Sequence, residues 1–148
     1  DRPTLFGGPM GHALSRMYSN LGDVMAAQIV RMVLMDIYDR LDEKDKPYFR
    51  ESREQRFGMP LEKVVEGREQ KLEAFRESLL PLRMTLRKQR FFGGDSPLYA
   101  DYALFGQFQW ARCISPFALL ADDDPVKEWR DRLLGAFGGI AKAAPAYD

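Results

Sequence analysis

The chain of 148 residues has one cysteine, one histidine and no excess charge of either sign. One cysteine excludes an internal disulfide framework, and one histidine excludes a metal site built from several histidines. Basic and acidic residues number 22 each, so no net field recruits nucleic acid or anionic lipid. Arg31, Asp36 and Asp39 interrupt the most hydrophobic segment, which leaves no apolar run of transmembrane length. We therefore expect a protein of the cytoplasm that binds neither nucleic acid nor a membrane.

The usual catalytic and metal-binding motifs are also missing. His12 has neither a Gly-x-Ser-x-Gly motif nor a cysteine paired with it. Gly7-Gly8 lacks the lysine and the spacing of a phosphate-binding loop. Asp122-Asp123-Asp124 lacks the alternating oxygen ligands and the closing carboxylate of a Ca²⁺ or Mg²⁺ loop, so we expect it to cap the helix that begins at Pro125. The sequence thus predicts no metal and no catalytic residue in this segment.

Apolar residues recur at helical spacing along most of the chain, and 45% of all residues are hydrophobic, as in an ordinary globular domain. The clearest pattern is a narrow seam with alternating spacings of three and four residues: Leu72, Phe75, Leu79, Leu82 and Leu86. We predict an all-α bundle of four to six helices, at about 10–41, 48–56, 61–90, 96–113 and from Pro125 onward. Asn20–Asp23 is expected to kink or break the first helix, and Pro81 is expected to kink the third. Gly106 is expected to let a neighbouring backbone approach closely.

The predicted first helix carries a stripe of methionines among other apolar residues, at positions 17, 25, 32 and 35. Unbranched methionine side chains adapt to irregular gaps, so core packing is one interpretation of the stripe. The other interpretation is a flexible wall for an apolar ligand. The residues alone leave both interpretations open.

The stretch 91–106 carries the signals of a helix end followed by a helix start. Gly93-Gly94 supplies a turn, since glycine adopts a positive φ without strain. Ser96 is expected to cap the next helix, with Pro97 in its first turn. Asp101 then lies near the positive end of the helix dipole, where free backbone N–H groups stabilise a carboxylate.

Several segments resemble the helical C-terminal domain of glutathione transferases. The most specific is the Gly-Gly-Asp turn at 93–95 followed by Ala100-Asp101-Tyr102, because an Ala-Asp pair opens the central helix of that domain. Leu98 stands where the family usually has serine, threonine or asparagine. Three stretches resemble the β-etherase branch of this family: Glu51–Gly58, Leu61–Val64 through Gly67–Glu69, and Phe92–Tyr102. Two others resemble etherase-related bacterial members: Phe108–Arg112, and Asp122–Pro125 with Trp129. The resemblance covers nearly the whole chain and implies the fold of that domain.

The resemblance also implies a parent enzyme of two domains. Residues 1–9 are then the remnant of an interdomain linker and residues 10–148 the helical domain, with the thioredoxin-like N-terminal domain absent. That absent domain binds the cofactor glutathione and lowers the pKa of the glutathione thiol. The helical domain supplies the wall that orients the electrophile, and the corresponding substrate-binding positions are Leu14, Met17, Tyr18, Leu21 and Met25.

The implied function is the substrate side of a transferase that conjugates glutathione to hydrophobic or aromatic electrophiles, including cleavage of β-aryl ethers. The family further implies a homodimer. The alternatives are a non-catalytic glutathione-transferase fold and a free-standing helical binding or scaffold module. An open groove along Leu14–Met25 favours the enzyme, whereas a groove filled by side chains favours the non-catalytic glutathione-transferase fold. A severed interdomain surface predicts exposure of Leu5, Phe6 and Leu14.

Overall fold

A computed structural model describes residues 4–147, and these residues form seven α-helices and one short 3₁₀ helix. The helices are α1 (Pro9–Arg40), α2 (Lys46–Phe57), α3 (Leu61–Val65), α4 (Arg68–Ser78), α5 (Leu80–Leu86), α6 (Tyr99–Ile114), α7 (Pro125–Leu134) and the 3₁₀ helix Phe137–Gly139. The described part of the chain holds no β-strand, only an isolated bridge between Phe91 and Gly94. The predicted all-α class is therefore confirmed.

The core is organised around α1 and α6, which pack against each other along much of their lengths. Helix α1 also contacts α3 and α4, and α5 packs on α7. Ile29 and Val33 from α1, Leu104 from α6 and Trp129 from α7 are fully enclosed in one core. Across residues 4–147, no helix combines the length and the hydropathy needed to cross a membrane.

Of the kink or break predicted at Asn20–Asp23, the break does not occur, because α1 is one continuous helix of 32 residues. Gly22 serves packing instead: a Cβ at this position would lie 3.2 Å from the carbonyl oxygen of Ala103 on α6. The close approach predicted at Gly106 is also wrong, since a Cβ there would meet no atom within 4 Å. Gly22 on α1 is thus the small residue at the contact between α1 and α6, and Gly106 is exposed.

Alanine substitutions at these two glycines are expected to change stability in opposite directions. Gly106→Ala replaces glycine by a better helix former in open space, which raises the free energy of unfolding by about 0.5–1 kcal/mol. Gly22→Ala offers the same helix gain but pushes against the backbone of α6, and overpacking costs about 1–3 kcal/mol. Urea unfolding of both variants measures the two changes. A Gly22→Ala protein as stabilised as the Gly106→Ala protein would show that α1 and α6 are not in close contact there.

The single helix predicted for 61–90 is three helices, which is why the bundle has seven helices and not four to six. Gly67 interrupts it first, because its φ of 68° lies in the left-handed region. Pro81 does not kink a continuous helix; it occupies the first turn of α5, where its missing N–H costs nothing. The apolar seam continues across the boundary between α4 and α5. Its buried members are Phe75, Leu79, Leu82 and Leu86, and Leu72 packs half-buried against them.

Helix α6 begins at Tyr99, three residues later than predicted. Ser96 is exposed and is not its N-cap, so that prediction is wrong. The N-cap residue is Leu98, whose side chain makes no capping hydrogen bond. The Leu98 backbone N–H instead donates to Oδ2 of Asp101 at 3.0 Å, because the aspartate in the first turn reaches back over the helix start.

The start of α7 shows the predicted capping by aspartate. Oδ1 of Asp124 accepts a hydrogen bond from the backbone N–H of Val126 at 2.9 Å, and Pro125 is the first helical residue. Oδ2 of the same carboxylate accepts from Nε and Nη2 of Arg83 at 3.0 and 2.8 Å. The Asp124 side chain is only 4% exposed, so this ion pair joins α5 to α7 away from water.

Candidate functional site

A small cavity of about 130 Å³ lies between the first half of α1 and the segment that leads into α6. Its lining is mostly apolar and comes from three separate parts of the chain: Phe6, Gly11, Leu14, Ser15, Tyr18, Phe92, Gly93, Leu98, Tyr99 and Ala100. The glycines allow the walls to come close, since a Cβ on Gly93 would lie 2.5 Å from the Ser96 carbonyl oxygen and 2.6 Å from Cγ of Leu98. The cavity therefore depends on the shape of the 92–98 turn.

Aromatic rings form two of its walls. The ring of Phe6 lies 4.9 Å from that of Tyr99 and 4.5 Å from that of His12, and Tyr18 lies 5.8 Å from Phe92. The backbone N–H of Tyr99 donates to the Leu5 carbonyl oxygen at 2.8 Å, which holds the segment before α1 against the start of α6. The Phe6 and His12 rings meet edge to face and the other two pairs are tilted, so aromatic surface borders the cavity on both sides.

One edge of the cavity is polar. The hydroxyl of Ser19 donates to the hydroxyl of Tyr99 at 3.4 Å, and both border a shallow depression shared with His12, Arg16 and Asn20. The Tyr99 hydroxyl also has a proton to donate. Phe6, Ser15 and Tyr99 border both the cavity and this depression, so a polar surface adjoins the cavity.

The buried carboxylate of Asp101 holds the cavity's turn in place. Oδ1 accepts hydrogen bonds from the Phe92 N–H at 2.8 Å and from Nε1 of Trp129 at 2.9 Å. Oδ2 accepts from the N–H groups of Gly93 and Leu98, both at 3.0 Å. Asp101 is 0% exposed, so all four bonds form away from water. It fixes the backbone on both sides of the cavity without touching the cavity itself.

The structure brings together two of the five predicted substrate-binding residues. Leu14 and Tyr18, one helical turn apart on α1, both line the cavity. Met17 is 73% exposed on the outer face of α1, and Leu21 is half-buried against the core. Met25 is 1% exposed and belongs to the core itself, so no ligand reaches it in this conformation.

Three aromatic lining residues were not predicted as part of the site: Phe6, Phe92 and Tyr99. The signal for Phe6 was an apolar residue in an otherwise loop-like opening, and the signal for the others was their place beside the Gly-Gly turn. Among residues 4–147, no group of three or more histidine, cysteine, aspartate or glutamate side chains has the geometry to hold a metal ion. The lining of the cavity offers apolar contact and two tyrosines, Tyr18 and Tyr99.

Comparison with known families gives one match. The family model described as "Glutathione S-transferase, C-terminal domain" matches residues 13–135. The matched range runs from the first turns of α1 to the end of α7. It includes the core and most of the cavity lining, but Phe6 and Gly11 lie before it.

Proposed function

Because the chain belongs to the glutathione S-transferase C-terminal domain family, we propose that it is the substrate side of a transferase that conjugates glutathione to hydrophobic or aromatic electrophiles. The observation that carries the proposal is the open cavity with Leu14 and Tyr18 on one wall and Phe92 and Tyr99 on the other. In this proposal a thioredoxin-like domain of the full-length parent binds most of the glutathione. The helical domain binds the electrophile beside the thiol.

The physical contribution of such a wall is orientation. A ring held against Tyr18 and Phe92 loses its rotational freedom before the reaction, and a well-oriented pair of reactants gains greatly over the same pair free in solution. Apolar contact with Leu14 adds binding energy of about 25 cal/mol per Å² of surface removed from water. The Tyr99 hydroxyl is placed to donate a hydrogen bond to an ether or leaving-group oxygen.

We propose β-aryl ethers as the electrophile class and a bacterial β-etherase-like parent as the enzyme. The glutathione thiolate attacks the β-carbon, the carbon–sulfur bond forms, and the carbon–oxygen bond breaks with its electron pair on the leaving phenolate. Protonation then releases a phenol, and the other product is a glutathione thioether. The aromatic lining and the resemblance of the 93–102 segment to that branch support this choice.

The exposed apolar residues near the cavity support a covered surface in the parent. Leu5 is 47% and Leu14 59% exposed, and Met10, Met17 and Val24 are also exposed along α1. Apolar patches of this kind mark surfaces that another domain or subunit covers. We propose that residues 1–9 are a linker to the glutathione-binding domain and that the parent is a cytoplasmic homodimer.

One observation favours a second candidate, a non-catalytic binding or scaffold module of the same fold. The cavity holds about 130 Å³, which is less than the roughly 300–1,000 Å³ typical of ligand pockets. The intact mass of the polypeptide in its source cell separates the two candidates. A mass above 17.0 kDa by about one small domain supports the transferase, and a mass equal to that of this segment supports the module.

The functional test uses the natural polypeptide that contains this sequence. We expect Leu14→Ala to lower kcat/KM for glutathione-dependent cleavage of a model β-aryl ether by about tenfold, since losing part of one apolar contact costs about 1.4 kcal/mol. Leu80→Ala is the matched control, because Leu80 is 53% exposed on α5 and lies neither in the cavity lining nor on α1. Equal effects of the two substitutions, or full activity of both variants, would contradict the assignment of this cavity as the electrophile site.

A further inference from the structure

A second and larger cavity lies at the other end of α6. The last turns of α6, the segment 115–122 and the first half of α7 surround it, and its volume is about 220 Å³. Tyr99 lies in the first turn of α6 and Arg112 in its last, so the two cavities are about 20 Å apart. The second cavity therefore belongs to neither the site nor the function proposed above.

The inner wall of this cavity is apolar. Phe108, Leu119 and Leu120 are buried beneath it, and Phe117 is half-buried at its side. A cavity of about 150 Å³ lined by such residues holds benzene. The available 220 Å³ therefore has room for an aromatic ring that carries a substituent.

The rim of the cavity is basic. Lys127 and Arg130 lie one turn apart on α7, and both side chains border the cavity while remaining partly exposed. The adjoining depression adds Lys142 and shares Arg112, and its only carboxylates within residues 4–147 are Asp122 and Asp131. Among residues 4–147, three basic residues other than Arg112 thus face two carboxylates here: Lys127, Arg130 and Lys142 against Asp122 and Asp131.

The ion pairs of Lys127 in the rim are loose, whereas Arg130 makes a close pair with its neighbour in sequence, Asp131. Nζ of Lys127 lies 3.7 Å from Oδ1 of Asp122 and 3.4 Å from Oδ2 of Asp131, and the Asp122 side chain is fully exposed. Arg130 directs Nε and Nη2 at the single oxygen Oδ1 of Asp131, at 2.9 and 2.7 Å. Exposed pairs of this kind contribute little to stability, so an incoming anion that also buries a ring competes with them.

We propose that this cavity binds an aromatic carboxylate. The ring lies against Phe108, Phe117 and Leu120, and the carboxylate accepts charge-assisted hydrogen bonds from Lys127 and Arg130. The apolar wall alone would accept any ring of this size, and the basic rim alone would accept any small anion. Their combination selects molecules that have both parts.

The test is a titration of the natural polypeptide with 2-naphthoate. Calorimetry measures the affinity, and backbone amide chemical shifts locate the bound ligand. We expect saturable binding that shifts amides of segment 115–122 and of α7 and leaves those around Leu14 and Tyr99 unchanged. The uncharged isostere 2-naphthamide is expected to bind about tenfold or more weakly, because it lacks the charge-assisted hydrogen bonds. Shifts confined to the Leu14 cavity, or equal affinity for the amide, would overturn the proposal.

Two double variants distinguish a specific binding site from general electrostatic attraction of the anion to the protein. Lys127→Gln with Arg130→Gln is expected to weaken 2-naphthoate binding about tenfold or more. Arg87→Gln with Lys88→Gln removes the same charge from exposed positions beyond α5 and is expected to leave the affinity unchanged. Equal losses in both double variants would refute the site. If the α7 variant fails to fold, the amide shifts and the naphthamide comparison on the unaltered protein still decide the question.

Discussion

Asp101→Asn is expected to lower the free energy of unfolding by about 3 kcal/mol or more, because two buried N–H donors lose their acceptor. Each carboxylate oxygen of Asp101 accepts two hydrogen bonds. An amide nitrogen in place of Oδ2 would face the donors of Gly93 and Leu98. The flipped amide would face the donors of Phe92 and Trp129. Neither orientation of asparagine satisfies all four groups.

The same substitution is expected to disturb the candidate site, since Phe92, Gly93 and Leu98 all line the cavity. Urea unfolding measures the stability change, and the near-ultraviolet circular dichroism of Trp129 reports on its indole. Asp95→Asn is the matched control, because Asp95 lies in the same turn with an exposed side chain. An Asp101→Asn protein as stable as the Asp95→Asn control would mean that the carboxylate does not hold the turn.

The second large effect is expected at Asp124, where alanine removes a helix cap and a buried ion pair together. Without Asp124, the charge of Arg83 has no carboxylate partner between α5 and α7. Breaking a buried ion pair in this way lowers the free energy of unfolding by about 3–5 kcal/mol. Loss of the hydrogen bond to the Val126 N–H adds about 1 kcal/mol. We therefore expect Asp124→Ala to be among the most destabilising single substitutions in the chain, as measured by the urea midpoint.

The double variant Arg83→Met with Asp124→Ala identifies the source of this loss. Methionine keeps the apolar stem of Arg83 without the charge, so the double variant is expected to regain part of the stability that Asp124→Ala loses. Asp123→Ala is the surface control, since its side chain is exposed one residue before the cap. A double variant no more stable than Asp124→Ala alone would show that the unpaired charge is not the main cost.

Local signals in the sequence predicted the helical elements well. Apolar residues spaced three and four positions apart identified the seam from Leu72 to Leu86. They did so even though the segment 61–90, which contains the seam, forms three helices. The aspartates before Pro125 predicted a cap, and Asp124 is that cap. Such features depend on residues close in sequence, which is why a pattern of a few residues suffices to find them.

The failures involve contacts between distant segments. Whether a glycine breaks a helix or admits a neighbour depends on what faces it, and Ala103 faces Gly22 from a helix more than 80 residues away in sequence. Serine is a common capping residue, but Ser96 does not cap α6. The buried carboxylate of Asp101 instead accepts hydrogen bonds from the backbone N–H groups of Gly93 and Leu98, on the two sides of the turn. Residue type alone carries no information about either arrangement.

The candidate site divides in the same way. The amino-acid sequence by itself determined that α1 carries apolar side chains suited to a ligand wall, because hydrophobicity and helical spacing are properties of the residues. Only the tertiary structure decided that Leu14 and Tyr18 border a cavity while Met25 enters the core, because packing against α6 determines which face of α1 is covered. The remaining aromatic walls come from Phe6, Phe92 and Tyr99, which only the folding of three separate segments brings together.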